Sequence, residues 1–315
     1  MTAIDRTLSS QTMRGVRRRS PATWIRGGGL ASLLFLLPML FIFGIFSWYP
    51  IVKAVVMSFQ STNLVSAPTF VGWQNFISVF QDPQFGESIV NTAYFALLAL
   101  IFGYPIPLIA AVLMSEVKRL RGLYAALAYL PVVVPPVVAI LLWKFFYDAS
   151  PTGVFNTLLA SFHIAPQPWI ENAAQAMPSI VLEATWAAAG STVIIYLAAL
   201  TGVSADLYDA SEVDGAGIWK KIWHVTLPQL RGILLITFIL QIIGTAQIFN
   251  EPFLMTDGGP NNATVTVLLL IYRYAFENSI GGGYGEATAL SLMLAVFLAI
   301  ISVVYFRITR SWSQN

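Results

Sequence analysis

The sequence predicts an all-α integral membrane protein with six transmembrane helices and both termini in the cytoplasm. Three observations carry this. First, 57% of the 315 residues are hydrophobic and only 10% are charged, against roughly 25% charged in a soluble domain. So few charges cannot cover a water-facing surface, so lipid must solvate much of the chain. Second, six apolar stretches approach or exceed the roughly 20 residues that a crossing helix needs. Third, the basic residues are sorted to one side. Six arginines precede the first stretch, from Arg6 to Arg26. Lys118, Arg119 and Arg121 lie between the second and third, Lys220, Lys221 and Arg231 between the fourth and fifth, and Arg307 and Arg310 after the sixth. That puts fourteen of the 17 basic residues on one face and leaves Lys53, Lys144 and Arg273 for the other, the pattern of cytoplasmic loops rich in Lys and Arg.

In chain order the predicted spans are 30–52, 89–114, 123–146, 179–203, 233–252 and 287–306. Several contain proline (Pro38, Pro105, Pro107, Pro131, Pro135, Pro136), which neighbouring helices tolerate inside a membrane bundle. The first is too long and starts too late for a cleaved leader. A seventh apolar run, 265–272, is too short to cross and reads as a re-entrant or interfacial helix. Had it crossed, the basic tail would lie outside. The segments 58–88, 147–178 and 253–286 then face outward. Residues 1–29 form a basic cytoplasmic segment whose Arg17-Arg18-Arg19 anchors the first span at the lipid surface rather than binding nucleic acid. Residues 307–315 form a short cytoplasmic tail.

The cytoplasmic loop 204–232 is more than a connector. Ser204 is placed to cap a helix over Ala205–Val213, with Asp206 and Asp209 near its positive end. Gly215 and Gly217 break it. A second helix, 218–226, is expected to stop before Pro228. Trp219, Ile222 and Trp223 give it an apolar face, with Lys220, Lys221 and His224 opposite. Two short amphipathic helices around a glycine corner read as a docking element for a soluble partner.

The residues of this loop carry a resemblance. Asp209-Ala210-Ser211-x-x-Asp214-Gly215-Ala216, then Trp219, then Thr226-Leu227-Pro228, resembles the E-A-A-x-x-D-G-A loop of ATP-binding-cassette (ABC) importer permeases. Asp209 stands for the first Glu, Ser211 for the second Ala, and Ile222 where the family often has Phe. Leu254-Met255-Thr256-Asp257-Gly258-Gly259-Pro260 is similar to the LTxGGP loop of the carbohydrate branch. Phe70-Val71-Gly72-Trp73-Gln74-Asn75-Phe76 is similar to its FVGLxNF segment. The resemblance implies a permease subunit (30–306) in a bacterial inner membrane. It implies that Asp209, Ala210, Ser211, Asp214, Gly215, Ala216, Trp219, Leu227 and Pro228 couple it to two separate ATPase subunits. A second homologous permease, giving a heterodimer, and an extracytoplasmic binding protein complete the assembly. The corner at Gly258, Gly259 and Pro260 is a candidate contact for the binding protein. Trehalose, maltodextrins, other oligosaccharides and glycerophosphate-type solutes all have carriers of this kind.

The chain is not expected to be an enzyme. It has no phosphate-cradling Gly-rich loop ending in Lys-Ser/Thr, no cysteine and only His163 and His224, which argues against metal or cofactor chemistry. Polar residues within the spans are the candidates for a solute path: Glu183, Trp186, Gln241, Thr245, Gln247, Asn250 and Glu251. Intramembrane carboxylates usually face a cavity or the bundle interior, and amides suit sugar hydroxyls. Trp143, Tyr147 and Trp186 offer apolar ring faces. The competing roles are helix-bridging hydrogen bonds for the Gln and Thr residues and interfacial anchoring for the aromatics. The rival reading is a secondary transporter or channel working without ATP, which calls for midplane ion-coupling carboxylates and an internal repeat.

Overall fold

A computed structural model describes residues 30–117, 120–277 and 283–310. The predicted positions Lys118 and Arg119, the arginines before residue 30 and the tail beyond Arg310 lie outside the described residues. The chain divides into two compact units, Met1–Ala54 and Val55–Asn315.

The described part of the first unit belongs to one apolar helix, α1 (Leu30–Met57), none of whose residues is buried. Near its middle the ladder widens: Tyr49 N–H bonds to Gly44 O, one residue further back than in an α-helix. Pro50 follows directly. A proline lacks the N–H and pushes against the carbonyl four residues earlier; a single wide π-turn makes room for it without ending the helix.

The second unit opens with a two-stranded antiparallel ribbon, β1 (Gln60–Ser61) and β2 (Thr69–Phe70), with Gln60 opposite Phe70. Asn75 locks it by donating to Ser58 O and Gln60 O at 2.8 and 3.0 Å. Short helix α2 (Gln74–Gln81) leads to α3 (Pro83–Glu116), capped by Asp82, which accepts from Gln84 N. Here too a wide turn, Tyr104 N to Ala99 O at 2.9 Å, precedes a proline, Pro105.

The expected third span, 123–146, is not one helix. It is two, α4 (Arg121–Val133) and α5 (Pro136–Phe146), bent by 93° at the break. The cause is the Pro135-Pro136 pair. Each proline disfavours helical backbone in the residue before it, and both Val134 and Pro135 are extended (ψ 131°).

After α6 (Val154–Ala160) comes α7 (Ala173–Thr201), the hub of the unit, packed against α3, α4, α5 and the later α9. α7 and α4 approach closely at Gly190, where an added Cβ would lie 2.1 Å from Ala128 O. α8 (Ala205–Val213) matches the predicted first loop helix in its bounds.

The predicted second loop helix does not end before Pro228. It runs on as α9 (Ile218–Thr245), because Leu227 N reaches back to Ile222 O in a third wide turn that accommodates the proline. The far end differs as well: α9 stops at Thr245, and Pro252–Thr256 forms a separate π-turn. A span over 233–252 is therefore not continuous. The short run over 265–272 contains α10 (Val267–Tyr272), and α11 (Tyr284–Arg310) closes the chain. Three buried clusters hold the unit: Phe95, Ile140, Met177 and Met255; Val79, Val265, Leu270 and Leu290; and Ala111, Val193, Tyr196 and Leu230. Outward faces of the long helices stay apolar and exposed, as in Leu182, Leu240 and Phe297.

Candidate functional site

The loop after α7 is built as a pinned hairpin. Ser204 Oγ accepts from Asp206 N at 3.2 Å and starts α8. Gly215, at φ +70°, turns the chain in a conformation that costs other residues a Cβ clash, while Ala216 N closes onto Ser211 O at 2.9 Å. Gly217 is extended and begins α9. Two cross-links hold α8 to the start of α9: Lys221 Nζ on Glu212 Oε1 at 2.5 Å, and Tyr208 Oη with Thr226 Oγ1 at 3.1 Å. Ser211 Oγ donates to Tyr208 O. Asp209, Ala210, Asp214, Gly215 and Pro228 are exposed, and Ser211, Ala216 and Leu227 are half-buried. Val213, Trp219 and Trp223 project 88%, 73% and 65% exposed. The pinning residues Tyr208 and Glu212 carried no signal of their own in the sequence, because their partners sit across the glycine corner.

A cavity of about 320 Å³ lies between α3, α7, α9 and the segment that follows α9. Three of the predicted path residues line it: Gln241, Thr245 and Glu251. Sequence reasoning missed its hydroxyls, Tyr104, Thr185, Thr192 and Thr237. Lone threonines in apolar helices are silent because their hydroxyls bond within their own turn, as Thr237 Oγ1 does to Ile233 O at 2.9 Å. Tyr104 Oη donates to Leu234 O, and Tyr196 Oη meets Thr237 Oγ1 at 2.8 Å.

The other predicted path residues lie elsewhere. Glu183 is 1% exposed, and neither carboxyl oxygen has a hydrogen-bond partner among the described residues. Trp186 packs its ring on Trp143 at 5.4 Å. Tyr147, buried and donating to Ser179 O, joins Trp143, Phe155 and Trp169 in the same aromatic cluster. Those rings form packing, not lining. Gln247 is exposed and donates back to Ile243 O; Asn250, also exposed, follows the break after α9.

At the corner after this segment, Asp257 (φ +48°) and Gly258 (φ +80°) reverse the chain before a cis Gly259–Pro260 bond. Arg273 Nη2 donates to Asp257 O at 2.7 Å, and Thr264 Oγ1 to Gly259 O at 2.9 Å. A Cβ on Gly258 would stand 2.7 Å from Arg273 Nη2 and from Val265 Cγ2, so a larger residue would have to displace both side chains and adopt a positive φ. Gly258 is buried; Gly259 and Pro260 are half-buried.

Residues 103–314 match the family of binding-protein-dependent transport system inner membrane components. The chain is 30% identical to the arabinooligosaccharides transport system permease protein AraP of Halalkalibacterium halodurans, covering 90% of this chain and 89% of the relative. It is also 30% identical to the lactose transport system permease protein LacF of Rhizobium radiobacter, covering 88% and 93%. Its fold aligns with a bacterial ABC transporter involved in the import of the acidic polysaccharide alginate, with TM-score 0.80 and 26% identity over 91% of this chain and 97% of that one. The same kind of transporter in complex with a pentasaccharide-bound periplasmic protein aligns with TM-score 0.82 and 25% identity over 93% and 98%. Kinship over nearly the whole chain, joined to the loop and the corner, places this chain among the inner membrane permease components of binding-protein-dependent ABC transport systems.

Proposed function

We propose that the chain is the permease subunit of an ATP-driven importer that carries a sugar or sugar-like solute into the cytoplasm. The observation that carries this is the pinned hairpin of α8 and α9, rigid in its backbone yet presenting Asp209, Asp214, Val213 and Trp219 to a partner. ATP hydrolysis belongs to two separate ATPase subunits that receive this hairpin. A second, homologous permease completes the path, and an extracytoplasmic binding protein delivers the solute near Gly258, Gly259 and Pro260. In this reading α4 and α5 together make one broken span, so the permease domain 30–306 crosses six times, with the basic segment 1–29 and the tail 307–315 in the cytoplasm. Kinship with carriers of lactose, arabinooligosaccharides and alginate supports a sugar and spans both neutral and acidic ones.

Proteoliposomes test it. Solute uptake is expected only when the ATPase subunits and ATP are present on the cytoplasmic side. Uptake driven by an ion gradient, with no ATPase subunit in the vesicle, would favour a secondary transporter instead.

A further inference from the structure

We propose that the cavity between α3, α7 and α9 filters solutes by charge, admitting neutral or cationic sugars and turning away anionic ones, with Glu251 as the selectivity-determining residue. The inference rests on the importer reading above and narrows its substrate class.

Glu251 is the single charged side chain among the described residues lining the cavity. No lysine, arginine or histidine faces it there. The two cations placed near this end are already held: Lys144 Nζ donates to Leu254 O at 2.9 Å, and Arg273 to Asp257 O. A second carboxyl stands behind the wall. Glu183 is 1% exposed with no hydrogen-bond partner among the described residues, and a carboxyl so placed holds a charge only at great cost, so the field in the cavity is that of Glu251. In a poorly screened interior a solute carboxylate is repelled by an ionised Glu251, because Coulomb energy scales inversely with the local dielectric. A solute carboxylate would find no arginine fork to receive it. Neutral hydroxyls find what they need in the Gln241 amide and the hydroxyls of Thr185 and Tyr104, and an ammonium gains from Glu251.

The absence of cysteine from the chain makes a direct test available without knowing the solute. Single cysteines are introduced as Ala184→Cys and, independently, Ala188→Cys, two lining positions on α7. In native membranes holding the assembled transporter, with and without ATP, each is reacted with a cationic methanethiosulfonate (ethyltrimethylammonium) and an anionic one (ethylsulfonate). A unit charge within the same cavity favours a cationic over an anionic reagent even in a water-like dielectric. The expected rate ratio, normalised to a free thiol, is therefore clearly above one. It should fall towards one with Glu251→Gln and invert with Glu251→Lys. A normalised ratio near one at both positions, or a ratio that Glu251→Gln leaves unchanged, overturns the charge filter while leaving the importer reading standing. Failure of both reagents at both positions, in both nucleotide states, overturns the cavity as a solute path and the filter with it.

Discussion

Gly190→Ala is the sharpest test of how the helices pack. Gly190 sits in mid-α7 where that helix crosses α4. A Cβ built there would lie 2.1 Å from Ala128 O and 2.9 Å from both Ala128 C and Tyr129 Cα. All three are backbone atoms, so no side chain can rotate away. A carbon–oxygen contact needs more than 3 Å, and the helices would have to part by roughly 1 Å. A gap of that order forfeits about a quarter to a half of each affected dispersion contact. Overpacking of this kind costs about 1–3 kcal/mol. Small residues are what let membrane helices approach so closely. At about 1.5 °C per kcal/mol for a chain of 315 residues, a cost near 2 kcal/mol lowers the melting temperature by roughly 3 °C. Thermal unfolding in nanodiscs, followed through the nine tryptophans, reads it. Gly232→Ala is the control: it is helical, with nothing within 4 Å of its Cβ, and Ala is favoured over Gly in a helix by about 0.5–1 kcal/mol. Melting of Gly190→Ala within about 1 °C of the parent, while Gly232→Ala behaves as expected, would refute the close crossing of α7 and α4.

At Gly215 nothing lies within 4 Å of an added Cβ, so Gly215→Trp meets only the backbone cost of a positive φ, about 1–2 kcal/mol; insertion should persist while solute uptake is lost. Normal uptake with a normally coupled ATPase would end the docking role of the hairpin. Ser204→Ala removes the cap of α8 and should cost about 1 kcal/mol locally, read as faster amide exchange over Ala205–Val213 with the long helices unchanged. Tyr274 donates to Asp82 Oδ2 at 2.5 Å, and Tyr274→Phe should cost about 1.5–3 kcal/mol, the worth of a hydrogen bond to a charged group. Burial first, and the Asp82 carboxylate second, push this phenol well above its ordinary value. A raised folded-state value means that the contribution is fully present below about pH 10 and is lost as pH climbs beyond it. Thermal melts of the parent and Tyr274→Phe should therefore differ by a constant amount up to that pH and converge above it.

What was legible in the sequence was what local chemistry decides. The bounds of α8 follow from Ser204 and the glycine corner, and the short α10 from the length of its apolar run. Proline was harder to read, because the same residue has several outcomes: Pro38, Pro131 and Pro178 lie inside helices with no wide turn before them. Single prolines at 50, 105 and 228 leave their helices running, each after one wide turn. The adjacent pair Pro135-Pro136 bends its span by 93°, since two consecutive residues are pushed out of helical backbone at once. The cavity was half legible. Gln241, Thr245 and Glu251 stand out as polar groups in an apolar run. Tyr104 and the threonines could be found only once α3, α7 and α9 were brought together, and the burial of Glu183 depends on packing that no spacing encodes.

The continuity of α9 changes what the loop can do. Had a helix ended before Pro228, the docking surface and the cavity would be separate bodies joined by a hinge, and movement at one would be absorbed before reaching the other. Instead Trp219 and Gln241 stand on one helix, 22 residues and so about 33 Å apart along its axis. A helix held in place by Leu230 and Ile239, both buried, moves as a rod. In the proposed importer, an ATPase partner that tilted the hairpin at Trp219 would displace Gln241 and Thr245 directly. Lys221 on Glu212 and Tyr208 on Thr226 make α8 travel with it. The chain breaks after Thr245, so the polar wall of the cavity is split between α9, which carries Gln241 and Thr245, and the segment beyond it, which carries Glu251. In the proposed importer, a tilt of α9 under its ATPase partner would change the shape of a cavity whose amide stands on that helix and whose carboxylate stands off it.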